Sequence, residues 1–76
     1  MDVRQIVGQN VLNARLSRGM TQEQLSEKCG FSQQYLSGLE NGARNPTIIT
    51  IYEIAMALGV DYLDLLRPSK PGRSRS

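Results

Sequence analysis

Residues 21–40 read TQEQLSEKCGFSQQYLSGLE, a pattern that predicts two short helices joined by a tight turn. Thr21 and, three positions later, Gln24 match the capping box with which many helices begin. Gly30 suits the turn because glycine adopts a positive φ without steric strain. Ser32 can then cap the second helix. This stretch therefore predicts a pair of helices at the centre of a small helical domain.

The second of these helices opens with two neighbouring glutamines, Gln33 and Gln34. A glutamine amide at an exposed helix start can bond to N6 and N7 of adenine in the major groove of DNA, and each such contact discriminates between bases by about 1–3 kcal/mol. The other interpretation is a solvated helix face, because glutamine is a good helix former. Taken alone, the pair is more typical of a solvated face, so its meaning depends on the surrounding pattern.

Apolar spacing and capping residues predict three further helices. The first carries an apolar stripe formed by Val3, Val7, Val11 and Ala14. A fourth helix, capped by Thr47, is expected to turn inward the residues Ile48, Ile51, Ile54, Ala55 and Leu58. Asp61 can cap a fifth helix over residues 62–66. Because no alternating strand pattern occurs, the sequence predicts one all-α domain of five helices over residues 1–66.

Charge is distributed unevenly along the chain. Residues 1–66 carry five basic and seven acidic side chains, whereas residues 67–76 carry four basic side chains and no acid. The latter segment is rich in Pro, Gly, Ser and Arg, and we expect it to be a disordered basic tail. It is either an arm that grips DNA phosphates or a solubilising end. A DNA-binding face on residues 1–66 would have to be a local basic patch.

The chain has one cysteine, Cys29, and no histidine. An internal disulfide is therefore impossible, a structural zinc site is not expected, and catalysis by Ser/His/Asp or Cys/His groups is excluded. We expect no enzyme activity, no metal and no cofactor. A single reduced cysteine fits a cytoplasmic location, and no apolar run has the length of a membrane span or the layout of a signal peptide.

The pattern across residues 7–66 resembles the phage repressor and Cro type of helix-turn-helix DNA-binding domain. The residues that carry the resemblance are Gln22, Leu25, Gly30, Phe31, Ser32, Leu36, Leu39, Glu40, Asn41, Gly42, Pro46, Thr47, Ala55, Leu58, Gly59 and Val60. So many spaced matches are more specific than a single turn glycine. The resemblance implies a five-helix, lambda-repressor-like fold, with the helix-turn-helix at helices two and three and with helix three in the major groove of double-stranded DNA.

The same resemblance implies roles for individual polar residues. The base-reading positions are Gln33, Gln34 and Ser37. Contact with DNA phosphates or a positioning role is implied for Thr21, Gln22, Ser32, Tyr35, Arg44 and Asn45. For Tyr35, a half-buried packing role is an equal alternative. Gly38 has no side chain where related proteins often carry a base reader, which either shortens the readable code or leaves room for a thymine methyl group.

Three further positions have structural roles in the resemblance. Arg15 and Glu40 correspond to a partly buried ion pair between helices one and three, although ordinary surface charges are the alternative. Ser26 stands where related proteins usually carry alanine, because the two helices of the motif touch there. Serine is small enough for this contact, but its hydroxyl needs a hydrogen-bond partner.

Helices four and five carry a second apolar stripe that the core does not require. It consists of Ile49, Tyr52, Met56 and Leu63. A small domain does not usually leave such a stripe uncovered, so we expect a two-fold homodimer through helices four and five. The alternative is that these residues thicken a thin core.

The expected function is sequence-specific regulation of transcription. A homodimer would bind a palindromic operator, as a repressor or as an autoregulatory controller of the restriction–modification type. Activation through contact of RNA polymerase with the acidic surface near Glu23 and Glu27 is also open. We expect a cytoplasmic, nucleoid-associated protein of bacterial or phage origin without membrane contact. The alternative is an antitoxin or a protein-interaction module that keeps the fold without specific DNA reading.

Overall fold

A computed structural model describes residues 2–68, and all regular structure in that range is helical. The five helices are α1 (Val3–Ser17), α2 (Gln22–Cys29), α3 (Gln33–Glu40), α4 (Ile48–Leu58) and α5 (Tyr62–Leu66). They confirm the predicted all-α class. The tail predicted over residues 67–76 lies outside the described residues from Ser69 onward. Arg67, directly after α5, forms an exposed ion pair with Asp64.

Local sequence explains where the helices begin. In α2 to α5 the side chain of the predicted capping residue accepts a hydrogen bond from a backbone N–H of the first turn. The four residues are Thr21, Ser32, Thr47 and Asp61. In α1 the same role belongs to Asp2, which accepts from the N–H of Arg4 at 3.0 Å. Each helix start is thus specified by residues within one turn of it.

The helices pack around one core. α1 lies against α3 and α5, α2 lies against α3 and α4, and α4 lies against α5. The buried apolar residues are Val7, Val11, Leu25, Leu36, Leu39, Ile51, Ile54, Ala55, Leu58 and Leu65. Within residues 2–68, no helix has the length and apolar character needed to cross a bilayer.

Two residues of α1 determine how its neighbours approach. A Cβ atom on Gly8 would lie 2.2 Å from the carbonyl oxygen of Leu39 and 2.9 Å from that of Glu40, so α1 and α3 touch there backbone to backbone. Asn10 is buried and donates through Nδ2 to the carbonyls of Leu65 at 2.9 Å and Arg67 at 2.7 Å. Asn10 therefore holds the end of α5 against α1.

One inward assignment of the apolar pattern is wrong. Ile48 is 57% exposed although it is predicted to turn inward, and Val3, at the start of the apolar stripe on α1, is 56% exposed. Each is the first residue of its helix. Helical spacing identifies an apolar face but not the point at which the neighbouring helix stops covering it. Cys29 is partly buried and packs against the core.

Candidate nucleic-acid interface

The start of α3 presents polar side chains to solvent. The hydroxyl of Ser32 accepts a hydrogen bond from the N–H of Tyr35 at 3.0 Å, which caps the helix. Gln33 and Gln34 follow in the first turn and are exposed, and Ser37 lies half-buried one turn later. The three predicted base readers therefore lie on one short helix, two in its first turn and one in the next.

The turn before α3 has its own hydrogen bonds. Gly30 adopts a φ of 83° and its N–H bonds to the carbonyl of Ser26 at 2.9 Å. The hydroxyl of Ser26 donates to the carbonyl of Phe31 at 2.5 Å. This bond supplies the partner that a serine in place of alanine requires. It also ties the last turn of α2 to the residue just before the cap of α3.

The start of α2 carries a complete capping box. The hydroxyl of Thr21 accepts from the N–H of Gln24 at 3.0 Å, and the side chain of Gln24 accepts from the N–H of Thr21 at 2.8 Å. The polar groups of Thr21 thus serve the helix itself. The N–H groups of Gln22 and Glu23 come next in this first turn, where helix geometry leaves them available to an anion.

The side chain of Gln22 points to the interior of the domain. Its Nε2 donates to Oε1 of Glu40 at 2.9 Å, and Glu40 also forms an ion pair with Arg15. Gln22 is therefore half-buried and joined to the last residue of α3. Its backbone N–H can therefore bind a phosphate, while its side chain links the start of α2 to the end of α3.

Tyr35 stands between an aromatic ring and a cation. Its ring is stacked on Phe31 with centroids 5.3 Å apart, and Cζ of Arg44 lies 5.4 Å from its centroid. Such cation–π contacts stabilise by about 0.5–1 kcal/mol at exposed sites. Tyr35 is half-buried, so it packs against the domain while also supporting an exposed arginine.

The loop after α3 carries Arg44 and Asn45, both exposed. Arg44 lies against Gly38 and Tyr35, on the helix that carries the predicted base readers. Two other exposed cations, Arg18 and Lys28, line a hollow between the turn after α1 and the helix α2, and this hollow also includes an acid, Glu27. Arg44 is therefore the cation that lies against α3 itself.

The second predicted stripe forms an exposed apolar face on α4 and α5. We use the term apolar face for Ile48, Ile49, Tyr52, Met56, Tyr62 and Leu63, which are between 38% and 67% exposed. Tyr52 and Tyr62 meet edge to face with centroids 5.8 Å apart. Together with Ile48 and Ile49 they line a hollow of about 310 Å³. These side chains lie outside the core rather than thickening it.

Three structural relationships have no counterpart in the sequence interpretation. They are the contact of Gly8 with α3, the bonds of Asn10 to α5, and the packing of Arg44 on Gly38. A glycine in the middle of a helix pattern is one indication of a close backbone approach, and Gly8 had that signal. The bonds of Asn10 join distant parts of the chain, and the packing of Arg44 on Gly38 depends on the path of the turn after α3, so no helical spacing indicates either of them.

Comparison with known proteins gives consistent matches. The family model of the helix-turn-helix domain HTH_3 matches residues 11–65. The chain is 54% identical over 69 residues to an uncharacterised HTH-type transcriptional regulator of Sinorhizobium fredii, covering 91% of this chain and 90% of that protein. It is also 41% identical over 66 residues to the control protein C.BamHI of Bacillus amyloliquefaciens, covering 86% and 82% respectively.

A solved structure gives the same result for the fold. The restriction–modification controller protein C.Esp1396I, crystallised as a tetramer with its natural 35 base-pair operator, superposes with a TM-score of 0.79 at 32% identity. The superposition covers 87% of this chain and 91% of the controller chain. The sequence matches and this superposition thus both point to helix-turn-helix proteins.

Proposed function

The chain belongs to the HTH_3 family of helix-turn-helix transcriptional regulators, and from that membership we propose that it binds a palindromic operator in double-stranded DNA as a homodimer. The observation that carries the proposal is the exposed pair Gln33 and Gln34 at the capped start of α3. Two exposed amides at the start of this helix have the chemistry and the location of base readers. The interpretation as a merely solvated face does not account for their place in this motif.

Base reading is assigned to three side chains. Gln33 and Gln34 each have a donor and an acceptor that match N7 and N6 of adenine. Ser37, one turn later, adds a hydroxyl that can donate or accept. With so few readers, each half-site would be short and one domain alone would discriminate weakly.

Positioning on the DNA backbone is assigned to the groups around α3. The starts of α2 and α3, capped by Thr21 and Ser32, present backbone N–H groups such as that of Gln22, which favour a phosphate oxygen. Tyr35, Arg44 and Asn45 would contact phosphates on the other side of the helix start. These contacts set the register of the domain on the duplex, and the glutamines supply the sequence preference.

The homodimer would form through the apolar face. Its six side chains are exposed in one domain, and burying them against a second copy would remove apolar surface from water. A dimer presents α3 twice, so that binding of the second half-site becomes intramolecular and the affinity rises. The apolar face therefore compensates for the small number of base readers.

Autoregulatory control or repression fits these properties best. Similarity to C.BamHI and to the operator-bound C.Esp1396I supports a controller role. Repression would follow from occlusion of polymerase. Glu23 and Glu27 on α2 are exposed and are the groups through which contact with RNA polymerase would occur if the protein also activates.

Selection of bound sequences from a random duplex pool tests the proposal. We expect enrichment of an inverted repeat whose half-sites lie about one helical turn, roughly 10 base pairs, apart. Enrichment of a single half-site without a repeat would contradict the dimer. No enrichment at all would contradict specific DNA reading and favour the interaction module.

A further inference from the structure

The path of the chain after α3 brings Arg44 back along that helix. The N–H of Gly42 bonds to the carbonyl of Leu39 at 3.0 Å, and the N–H of Ala43 bonds to the carbonyl of Gly38 at 2.8 Å. Gly42 has a φ of 77°, which a residue with a side chain rarely adopts. These bonds form a Schellman motif that reverses the chain. Arg44 therefore starts directly beside Gly38.

The side chain of Arg44 occupies the space that a side chain on residue 38 would need. A Cβ atom built on Gly38 would lie 3.0 Å from Nε, 3.1 Å from Cγ and 3.5 Å from Cδ of Arg44. The first two distances are shorter than an ordinary van der Waals contact. The arginine stem thus lies directly on the backbone of α3, between the predicted base readers and the loop.

The guanidinium end of Arg44 rests on the same helix. Its Cζ lies 5.4 Å from the ring centroid of Tyr35, one turn before Gly38. An exposed arginine loses rotamer entropy when a ligand immobilises it, and a side chain that is already held loses less. Gly38 and Tyr35 together therefore preorganise a cation that remains exposed to solvent.

We propose that Gly38 is a positioning residue for DNA binding, because its missing side chain lets Arg44 lie across α3 and present its guanidinium to one backbone phosphate at the edge of the groove. This inference rests on the function proposed above and assigns a role to the one position of the reading helix that has no side chain. It replaces both earlier interpretations of Gly38, a shortened code and a space for a thymine methyl group. A phosphate is the expected partner because Arg44 belongs to the loop rather than to the start of α3.

A double-mutant cycle on Gly38 and Arg44 tests the inference, with the duplex selected by the unmodified protein as the probe. Arg44→Ala is expected to weaken binding about tenfold, the scale of one charge-assisted hydrogen bond, and equally for all sequences. Gly38→Ala is expected to weaken it about fivefold, since the displaced cation keeps part of its attraction. In the Arg44→Ala background, Gly38→Ala should have no further effect.

Three more measurements separate positioning from folding. Arg44→Ala should reduce the slope of log K against log salt by about 0.9, and Gly38→Ala should reduce it in the same direction. The Tm of Gly38→Ala should not fall, because alanine is the better helix former. In the free protein, the Nε–H resonance of Arg44 should lose the ring-current shift from Tyr35 on Gly38→Ala. Gln9→Ala, on the exposed surface of α1, is the matched control that should bind normally.

The outcomes distinguish this inference from the function on which it rests. If the unmodified protein selects a duplex and Gly38→Ala binds it equally well, Gly38 is not a positioning residue although the function stands. If Gly38→Ala weakens binding as much in the Arg44→Ala background, its new side chain meets the DNA directly and the inference is overturned. A loss confined to one base position would assign Arg44 to a base. If the unmodified protein selects nothing, both proposals fail.

Discussion

Arg15 and Glu40 form a two-pronged ion pair that joins α1 to the last residue of α3. Nε of Arg15 lies 2.7 Å from Oε2 of Glu40, and Nη2 donates to Oε1 at 3.0 Å. The side chains are only 11% and 5% exposed. Nη1 of Arg15 also donates to the carbonyl of Met20 at 2.9 Å, and Gln22 donates to Glu40. The pair therefore connects α1, the turn after it, α2 and α3.

Arg15 keeps its positive charge throughout the neutral pH range. The hydrogen bond to Glu40 raises the pKa of Arg15 above its ordinary value, and burial opposes the shift. A raised pKa adds stability below the unfolded-state value, and this stability is lost only as the pH rises through the folded-state value. Because both values are strongly alkaline, substitution rather than titration of Arg15 is the way to examine the pair.

Replacement of Arg15 by methionine should strongly destabilise the domain. It leaves the carboxylate of Glu40 buried without its cation, a change that costs about 3 kcal/mol in comparable pairs. Urea unfolding measures the loss. Arg15→Met combined with Glu40→Leu should recover much of it, since no buried charge then remains. Arg18→Met, on the exposed part of the chain beside α1, is the control, and an unchanged midpoint for Arg15→Met would contradict the assignment.

Replacement of Gly8 by alanine should separate α1 from α3. The new Cβ would meet two backbone oxygens, which cannot move without shifting the whole helix. We expect a loss of about 2 kcal/mol despite the higher helix propensity of alanine. Thermal unfolding measures it, with the neighbouring exposed Gln9→Ala as control. A Tm equal to or above that of the unmodified protein would show that the helices accommodate the methyl group.

Replacement of Asn10 by aspartate should loosen α5. Its Nδ2 donates to two carbonyls, and an aspartate would place an oxygen against them. The expected loss is about 2 kcal/mol, because buried carbonyls are left unsatisfied. Amide hydrogen exchange should become faster in residues 62–66 before it does so in α3. Equal protection of α5 in both proteins would contradict the role of Asn10.

Replacement of Gln33 and Gln34 by alanine should abolish sequence preference. As a base reader, each glutamine would contribute about 1–3 kcal/mol of discrimination, whereas phosphate contacts would maintain non-specific affinity. Competition between the selected duplex and a scrambled duplex measures the ratio. Circular dichroism should be unchanged because both positions are exposed and alanine favours helix. Retained preference in the double variant would place the reading face elsewhere.

Replacement of Ile49 by glutamate together with Met56 by lysine should yield a monomer. These side chains are 67% and 64% exposed, so the changes leave the core intact while placing charges on the apolar face. The mass in light scattering should fall to one half, and affinity for an inverted repeat should fall with it. Leu16→Glu, at a 59% exposed position of α1, is the matched control. If Leu16→Glu gave a monomer instead, the dimer interface would lie on α1.

Local chemistry explains why the helices could be predicted. The caps Thr21, Ser32, Thr47 and Asp61 each act within one turn, so the sequence contains all the information that their helix starts require. The inward assignment of Ile48 failed for the opposite reason. The burial of Ile48 depends on whether α5 and the rest of the domain extend beside the first turn of α4. Helical spacing does not predict that extent.

In the candidate site, too, some features could be predicted from local sequence and others depended on the tertiary structure. The glutamines of α3 and the turn at Gly30 were recognisable from spacing, since the helix-turn-helix is a contiguous stretch. Tertiary structure alone decided that the side chain of Gln22 turns to Glu40 and that Arg44 fills the space above Gly38. Those contacts join residues separated by a loop or by a whole helix, and only the packed backbone brings them within hydrogen-bond or van der Waals distance. The sequence by itself determined the helices, their caps and the position of the helix proposed to read DNA, and the packing decided which polar side chains remain exposed to solvent.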